Sequence, residues 1–140
     1  MSNDTIKILL IEDNPADARL VREALQDVDG SACELTHVER LAEGIRALKD
    51  ARYDVIMLDL SLPDASGVDT VIHLQNEAPH MPIVVFTELD DDRTAMYAMR
   101  IGAQDYLVKG ELDGRLLVRT IRYAIERKRM QQVQARYQDQ

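Results

Sequence analysis

The sequence predicts an α/β protein, one (βα)5 domain whose strands form a doubly wound, parallel, five-stranded sheet. Three observations predict it. Short β-branched apolar runs alternate with longer helical patterns five times along 140 residues. Runs such as Ile8 to Ile11, Val55 to Leu58 and Ile83 to Phe86 are apolar throughout, as strands covered on both faces require, and do not alternate with polar residues. A chain of this length that is 46% apolar can bury one ordinary core but not two.

Ile6 to Ile11 reads as the first buried strand. Pro15 to Asp27 follows as a helix, with Ala18, Val21, Ala24, Leu25 and Val28 on one side. Leu35 to Val38 is a weaker strand placed at an edge, with Cys33 as a small core residue beside it. Leu41 to Lys49 is a helix because Leu41, Ile45 and Leu48 recur at spacings of 4 and 3. Val55 to Leu58 is an unbroken apolar strand, followed by a turn-rich stretch from Ser61 to Gly67. Val68 to Asn76 is a short helix closed by Pro79 and Pro82, and Ile83 to Phe86 is the fourth strand. Asp91 to Ile101 is a helix expected to stop at Gly102 in a left-handed conformation, with Asp90, Asp91 and Asp92 as capping and solvated acids. Tyr106 to Val108 is the fifth strand, and a long last helix runs from Asp113.

Composition removes several function classes. The 25 acidic residues against 17 basic ones give a net charge of −8, so neither direct nucleic-acid binding nor an anionic membrane partner is expected. A single cysteine excludes an intrachain disulfide, and His37, His73 and His80 share no ligand spacing. No apolar run exceeds 5 residues, too short to span a bilayer. Met1-Ser2-Asn3-Asp4 lacks the basic and apolar stretches of a signal peptide, which makes the cytoplasm the expected compartment.

Parallel α/β sheets bind ligands at the carboxyl ends of their strands. The strand order 2-1-3-4-5 is taken over from flavodoxin-like folds. With it, Glu12, Asp13 and Asn14 follow the first strand, Asp59 the third, Thr87 the fourth and Lys109 the fifth. Two carboxylates about 4 Å apart repel by roughly 4 kcal/mol at an effective dielectric near 20. Lys109 offsets part of that repulsion, and a hard divalent cation such as Mg2+ offsets more while keeping room for phosphate oxygens. Asp59 is the candidate nucleophile, because it leaves a rigid buried strand and enters a loop restricted by Pro63 and Gly67. Carboxylate attack on phosphorus would give an acyl phosphate. Thr87 would donate a hydrogen bond to the transferred group, and Lys109 would pair with it.

These residues resemble the receiver domain of two-component response regulators. The resemblance rests on Glu12-Asp13-Asn14, on Asp59 with Pro63 and Gly67 at offsets of 4 and 8, on Thr87, and on Tyr106 3 residues before Lys109. It covers residues 5–129 as the domain and leaves 130–140 as a helical or frayed tail. It implies that Asp59 is the phosphoacceptor, and that Glu12, Asp13, Asp59 and the Ser61 backbone carbonyl serve Mg2+. Thr87 and Tyr106 would be the switch pair, and a sensor histidine kinase or phosphotransfer protein would be the phosphohistidine donor. A signalling domain that gains and loses its own phosphoryl group is implied, not a conventional enzyme. Three features depart from the family pattern. Gly110 stands where proline usually follows the lysine, so no cis peptide is required there. Glu88 replaces a small residue after the switch threonine, and no output domain is expected to follow the receiver. The chain is therefore expected to be a single-domain regulator or a piece of a longer one.

Rival classes fit less well. An aspartate-nucleophile phosphatase places its nucleophile after the first strand and needs a cap insert, whereas the candidate here follows the third. A flavodoxin-like electron carrier needs a phosphate loop that Glu12-Asp13-Asn14-Pro15-Ala16-Asp17 would repel. The alternative is a phosphorylation-independent interaction module on the same fold, with Glu88 impairing the chemistry. In the tail, Met130, Val133 and Tyr137 recur at spacings of 3 and 4. An ordered helix past Arg129 is expected only where another chain, a homodimer partner among the candidates, covers that stripe.

Overall fold

The structure, a computed structural model, describes residues 5–28, 33–65, 67–88 and 92–138. The strands are β1 (Ile6–Ile11), β2 (Cys33–Val38), β3 (Val55–Leu58), β4 (Ile83–Thr87) and β5 (Asp105–Val108). The helices are α1 (Pro15–Gln26), α2 (Leu41–Asp50), α3 (Asp69–Glu77), α4 (Asp92–Arg100) and α5 (Gly114–Gln138), with a single 3-10 turn at Lys109–Glu111. The sheet order is β2-β1-β3-β4-β5 and every pair is parallel, the predicted topology.

Strand alternation divides the core into two layers. Ile8, Leu10, Met57, Phe86 and Leu107 pack beneath α1 and α5 against Val21, Leu25, Leu117 and Ile121. Leu9, Ile11, Ile56, Leu58 and Val85 pack on the other face against Leu41, Val71, Leu74 and Ala98 of α2, α3 and α4. Successive strand residues thus bury on opposite sides, which is why Ile8–Ile11 of β1, all of β3 and Ile83–Phe86 of β4 had to be apolar without interruption. Gly44 lets α2 lie close to the sheet, because a Cβ there would stand 2.5 Å from Ile11 Cδ1.

Local chemistry sets the helix ends. Asn14 caps α1, its Oδ1 accepting from the Ala16 amide at 2.9 Å, with Pro15 opening the first turn. The Asp64 carboxylate caps α2 from 23 residues away, accepting from Leu41 N–H at 2.9 Å and from Ala42 N–H at 3.1 Å. Helix α4 ends in a Schellman pattern, with Ala103 N–H bonded to Ala98 O and Gly102 N–H to Met99 O. The predicted glycine stop is there, but its φ of +126° is more extended than the left-handed helical value expected. A side chain at this position would also collide with Gln75.

Element boundaries differ from expectation in small ways. Strand β2 starts 2 residues before Leu35 and β5 starts 1 before Tyr106. Thr87 closes β4 and does not follow it. Asp90 and Asp91, expected near the start of α4, lie outside the described residues. Among those residues no peptide bond is cis.

The last helix runs past the expected domain end, with α5 continuing through Gln138. Gln104 Nε2 donates to Gln131 Oε1 at 3.0 Å, Gln132 Nε2 donates to the His80 carbonyl at 3.2 Å, and Arg127 donates to the Gln104 carbonyl at 2.7 Å. These bonds tie the helix to the strand-entry end of the sheet, while Met130, Val133 and Tyr137 remain exposed.

Asp64→Ala is expected to destabilise the protein by about 1 kcal/mol, the usual cost of a lost N-cap, as measured by urea denaturation at neutral pH. The Leu41 and Ala42 amides outweigh slight burial and hold the Asp64 carboxyl below the ordinary aspartate value. Its contribution is therefore complete above that value and disappears as pH falls through the depressed one. The difference between the two proteins should vanish in acid.

Candidate functional site

Strand register brings the predicted residues to one rim. Ile11 pairs with Leu58, so Glu12 and Asp59 leave the sheet side by side. Thr87 pairs with Val108, so Lys109 emerges next to the end of β4. Alternation then sorts them by face. Leu10, Met57 and Leu107 point into the α1/α5 layer, and two residues on, Glu12, Asp59 and Lys109 follow the same side. Tyr106 packs with Val85 against the opposite layer, the one beneath α4, and Thr87 shares that parity. The ionic half of the site lies over α1, and the hydroxyl and aromatic half lies toward α4.

Lys109 sits among four carboxylates. Its Nζ is 2.9 Å from Glu12 Oε1, 2.9 Å from Asp17 Oδ2, 3.5 Å from Asp59 Oδ2 and 3.7 Å from Glu88 Oε1. The lysine side chain is 9% exposed and that of Glu12 fully buried, whereas Glu88 is 70% exposed at the rim. The ammonium also lies 5.4 Å from the centroid of the Phe86 ring, within cation–π range.

Backbone groups orient the acids. Asn14 N–H donates to Glu12 Oε2 at 3.1 Å, and His37 Nε2 lies 2.6 Å from the Glu12 carbonyl oxygen. Ser61 N–H donates to Asp59 Oδ1 at 3.1 Å, which leaves the second oxygen facing the cleft. Thr87 Oγ1 donates to the Glu88 carbonyl at 3.2 Å. The cleft holds ~180 Å³ and is lined by Glu12, Asp13, Asp17, Asp59, Ser61, Thr87, Glu88 and Lys109. That is below the roughly 300–1,000 Å³ of pockets for organic ligands, and it suits an ion and a phosphoryl-sized group.

Glu12 and Lys109 respond to these surroundings. Burial pushes the Glu12 carboxyl up, the neighbouring Asp59 adds to the push and Lys109 offsets part of it, leaving a pKa of about 8. Burial alone would lower Lys109, but Asp17, Glu12 and Asp59 outweigh it and hold the ammonium above the ordinary lysine range. The acids also fit a hard cation. Glu12, Asp13 and Asp59 each offer an oxygen within 4.8 Å of the others. Glu12 Oε1 is buried, with the Lys109 ammonium 2.9 Å away, and an all-oxygen donor set suits Mg2+.

The response regulator receiver domain family matches residues 8–134 of this chain. The chain belongs to that family. This receiver domain is 35% identical over 100 residues to the regulatory protein LuxO of Vibrio cholerae, covering 71% of this chain and 21% of that protein. It is 31% identical over 121 residues to the KDP operon transcriptional regulatory protein KdpE of Escherichia coli, covering 84% and 52% respectively. The chain thus spans about half or less of the length of these curated relatives. Among solved structures, a response regulator receiver domain protein from Clostridium thermocellum superposes with a TM-score of 0.75 at 30% identity, covering 89% of this chain and 98% of that one. The receiver fold is also seen in NtrX from Brucella abortus, with a TM-score of 0.80 at 22% identity, covering 94% of this chain and 30% of that one. No described helix of this receiver domain is long and apolar enough to cross a membrane.

Glu12, Asp13, Asp59, Ser61, Thr87 and Lys109 line one cleft. Tyr106 does not line it and lies half-buried against the α4 layer. Sequence reasoning missed Asp17 as a partner of Lys109, although Asp17 lies in the first turn of the helix covering that face. It also missed His37 as a support for the Glu12 backbone, because a lone histidine carries no spacing signal.

A cation that takes Glu12 as a ligand must displace its proton at any pH below about 8. The apparent Mg2+ affinity is expected to rise up to tenfold per pH unit toward that point and to level off above it. Calorimetric titrations across the interval check this, and an affinity independent of pH would contradict it.

Proposed function

We propose that this receiver domain accepts a phosphoryl group from a phosphohistidine on a sensor histidine kinase or phosphotransfer protein, and that Asp59 is the acceptor. The observation that carries this is the placement of Asp59. It is nearly buried at the end of a rigid strand, with one oxygen fixed by Ser61 N–H and the other 3.5 Å from an ammonium in a cleft of phosphoryl size. The carboxylate attacks phosphorus, an acyl phosphate P–O bond forms, and the P–N bond to the donor imidazole breaks with its electron pair leaving on nitrogen. Lys109 pairs with the transferred group as a fixed charge. Thr87 turns its hydroxyl from the Glu88 carbonyl toward the same group. Glu12, Asp13, Asp59 and the Ser61 carbonyl would hold Mg2+, which when bound neutralises charge on the equatorial phosphoryl oxygens.

Signal output follows from the two-sided site. Thr87 and Tyr106 share the face toward α4, so a hydroxyl drawn to the phosphoryl group frees space into which the Tyr106 ring can turn. The added charge of about −1.5 to −2 is thereby converted into a packing change beneath α4. An exposed patch there, including Met96 and Tyr97, is a surface that a downstream partner would read.

Incubation with Mg2+ and a small acyl-phosphate donor is expected to add one phosphate by intact mass, and none to Asp59→Asn. An equal adduct on the variant would remove Asp59 from the role. Absence of any adduct on the wild type would favour the phosphorylation-independent module. Beryllium fluoride with Mg2+ should shift NMR signals from α4 and α5 as well as the pocket. Shifts confined to the pocket would refute the switch.

A further inference from the structure

Asp17 is not among the receiver residues that carry the family resemblance, yet it makes one of the two shortest contacts to Lys109, at 2.9 Å. Asp59, the proposed acceptor, stands further from the ammonium at 3.5 Å. The geometry around Asp17 is held in place. Asn14 Oδ1 accepts from the Asp17 amide at 3.4 Å and fixes the first turn of α1, and the Asp17 side chain is only 18% exposed. Helix α1 packs over the sheet face on which Lys109 emerges, so an acid in its first turn reaches the ammonium without crossing the pocket.

We propose that Asp17 is a positioning residue for Lys109, holding the ammonium on the α1 side of the cleft and competing for it with the anion on Asp59. The inference rests on the phosphoacceptor reading above. A lysine ammonium has three donors and faces four acids here. When a phosphoryl group arrives on Asp59, its oxygens must draw Lys109 away from a carboxylate. Glu12 stays committed to the acidic centre and Glu88 is solvated at the rim. Asp17 is the partner that gives way. Its carboxylate therefore weakens the bond between Lys109 and the phosphoryl group, and α1 tunes how long the modified state persists.

A first-turn acid also favours a helix through the macrodipole, and this purely structural role predicts a different outcome. Removing Asp17 would then lower stability and leave anion affinity unchanged or weaker. The test measures beryllium fluoride binding at saturating Mg2+ by amide NMR on wild type, Asp17→Asn and Asp17→Glu. The Asp17 carboxyl carbon is followed in the wild type. Asp17→Asn is expected to bind roughly threefold tighter or more, and Asp17→Glu to stay close to wild type. The Asp17 carboxyl signal should move as its ammonium leaves, and the acyl phosphate of Asp17→Asn should hydrolyse correspondingly more slowly. Unchanged or weaker binding by Asp17→Asn, or a carboxyl signal that does not respond, would overturn the inference. If wild type itself neither binds beryllium fluoride nor gains a phosphate adduct, the phosphoacceptor reading fails first and the Asp17 role falls with it.

Discussion

The site depends on a single ammonium. Glu12 and Asp59 are buried, Asp17 and Glu88 close the ring, and Lys109 is their common counter-ion. Desolvated carboxylates at these separations repel by several kcal/mol at any realistic interior dielectric, and only a charge fixed within contact distance makes the arrangement tolerable. The fold supplies that charge with little freedom. The lysine leaves β5 beside Thr87, packs its stem near Phe86 and is flanked by α1. The raised Glu12 pKa comes first from burial and then from the neighbouring Asp59, less the part that Lys109 offsets, and it marks where a divalent cation gains most.

Sheet periodicity gives the site two sides. Glu12, Asp59 and Lys109 share one strand parity, and Thr87 and Tyr106 share the other, so charge chemistry and packing response meet at the rim but are buried in different layers. A change in charge over α1 can reach the α4 face only through groups at the boundary, and Thr87 is such a group. The first part of α5 packs in the α1 layer, and its C-terminal extension is bonded to the opposite, strand-entry end of the sheet through Gln104 and His80.

Most of this was legible in the sequence because it is written in local patterns. Unbroken apolar runs disclosed β1, β3 and β4, and the residues immediately after them are the ones that line the cleft. What escaped depends on contacts between distant segments. Asp64 capping α2 and Gln131 bonding Gln104 have no spacing signature. The bonds of the tail helix escaped for that reason, since polar residues between Met130, Val133 and Tyr137 make them. Asp17 was visible as a first-turn acid, and only the docking of α1 over the Lys109 face gives it a second role.

The claim that Lys109 balances the buried acids is tested most directly by the pH dependence of stability in Lys109→Met, measured by urea denaturation without divalent cations. Removing the ammonium leaves the buried Glu12 without its counter-ion, so its folded pKa, already raised by burial, rises further above the unfolded one. The stability of such groups is complete below the unfolded carboxylate pKa and is lost as pH rises through the folded value. The account predicts a variant that approaches wild-type stability near pH ~4 and falls about 3 kcal/mol or more below it above pH ~8. A variant as stable as wild type at high pH, with no dependence on pH between these limits, would contradict it.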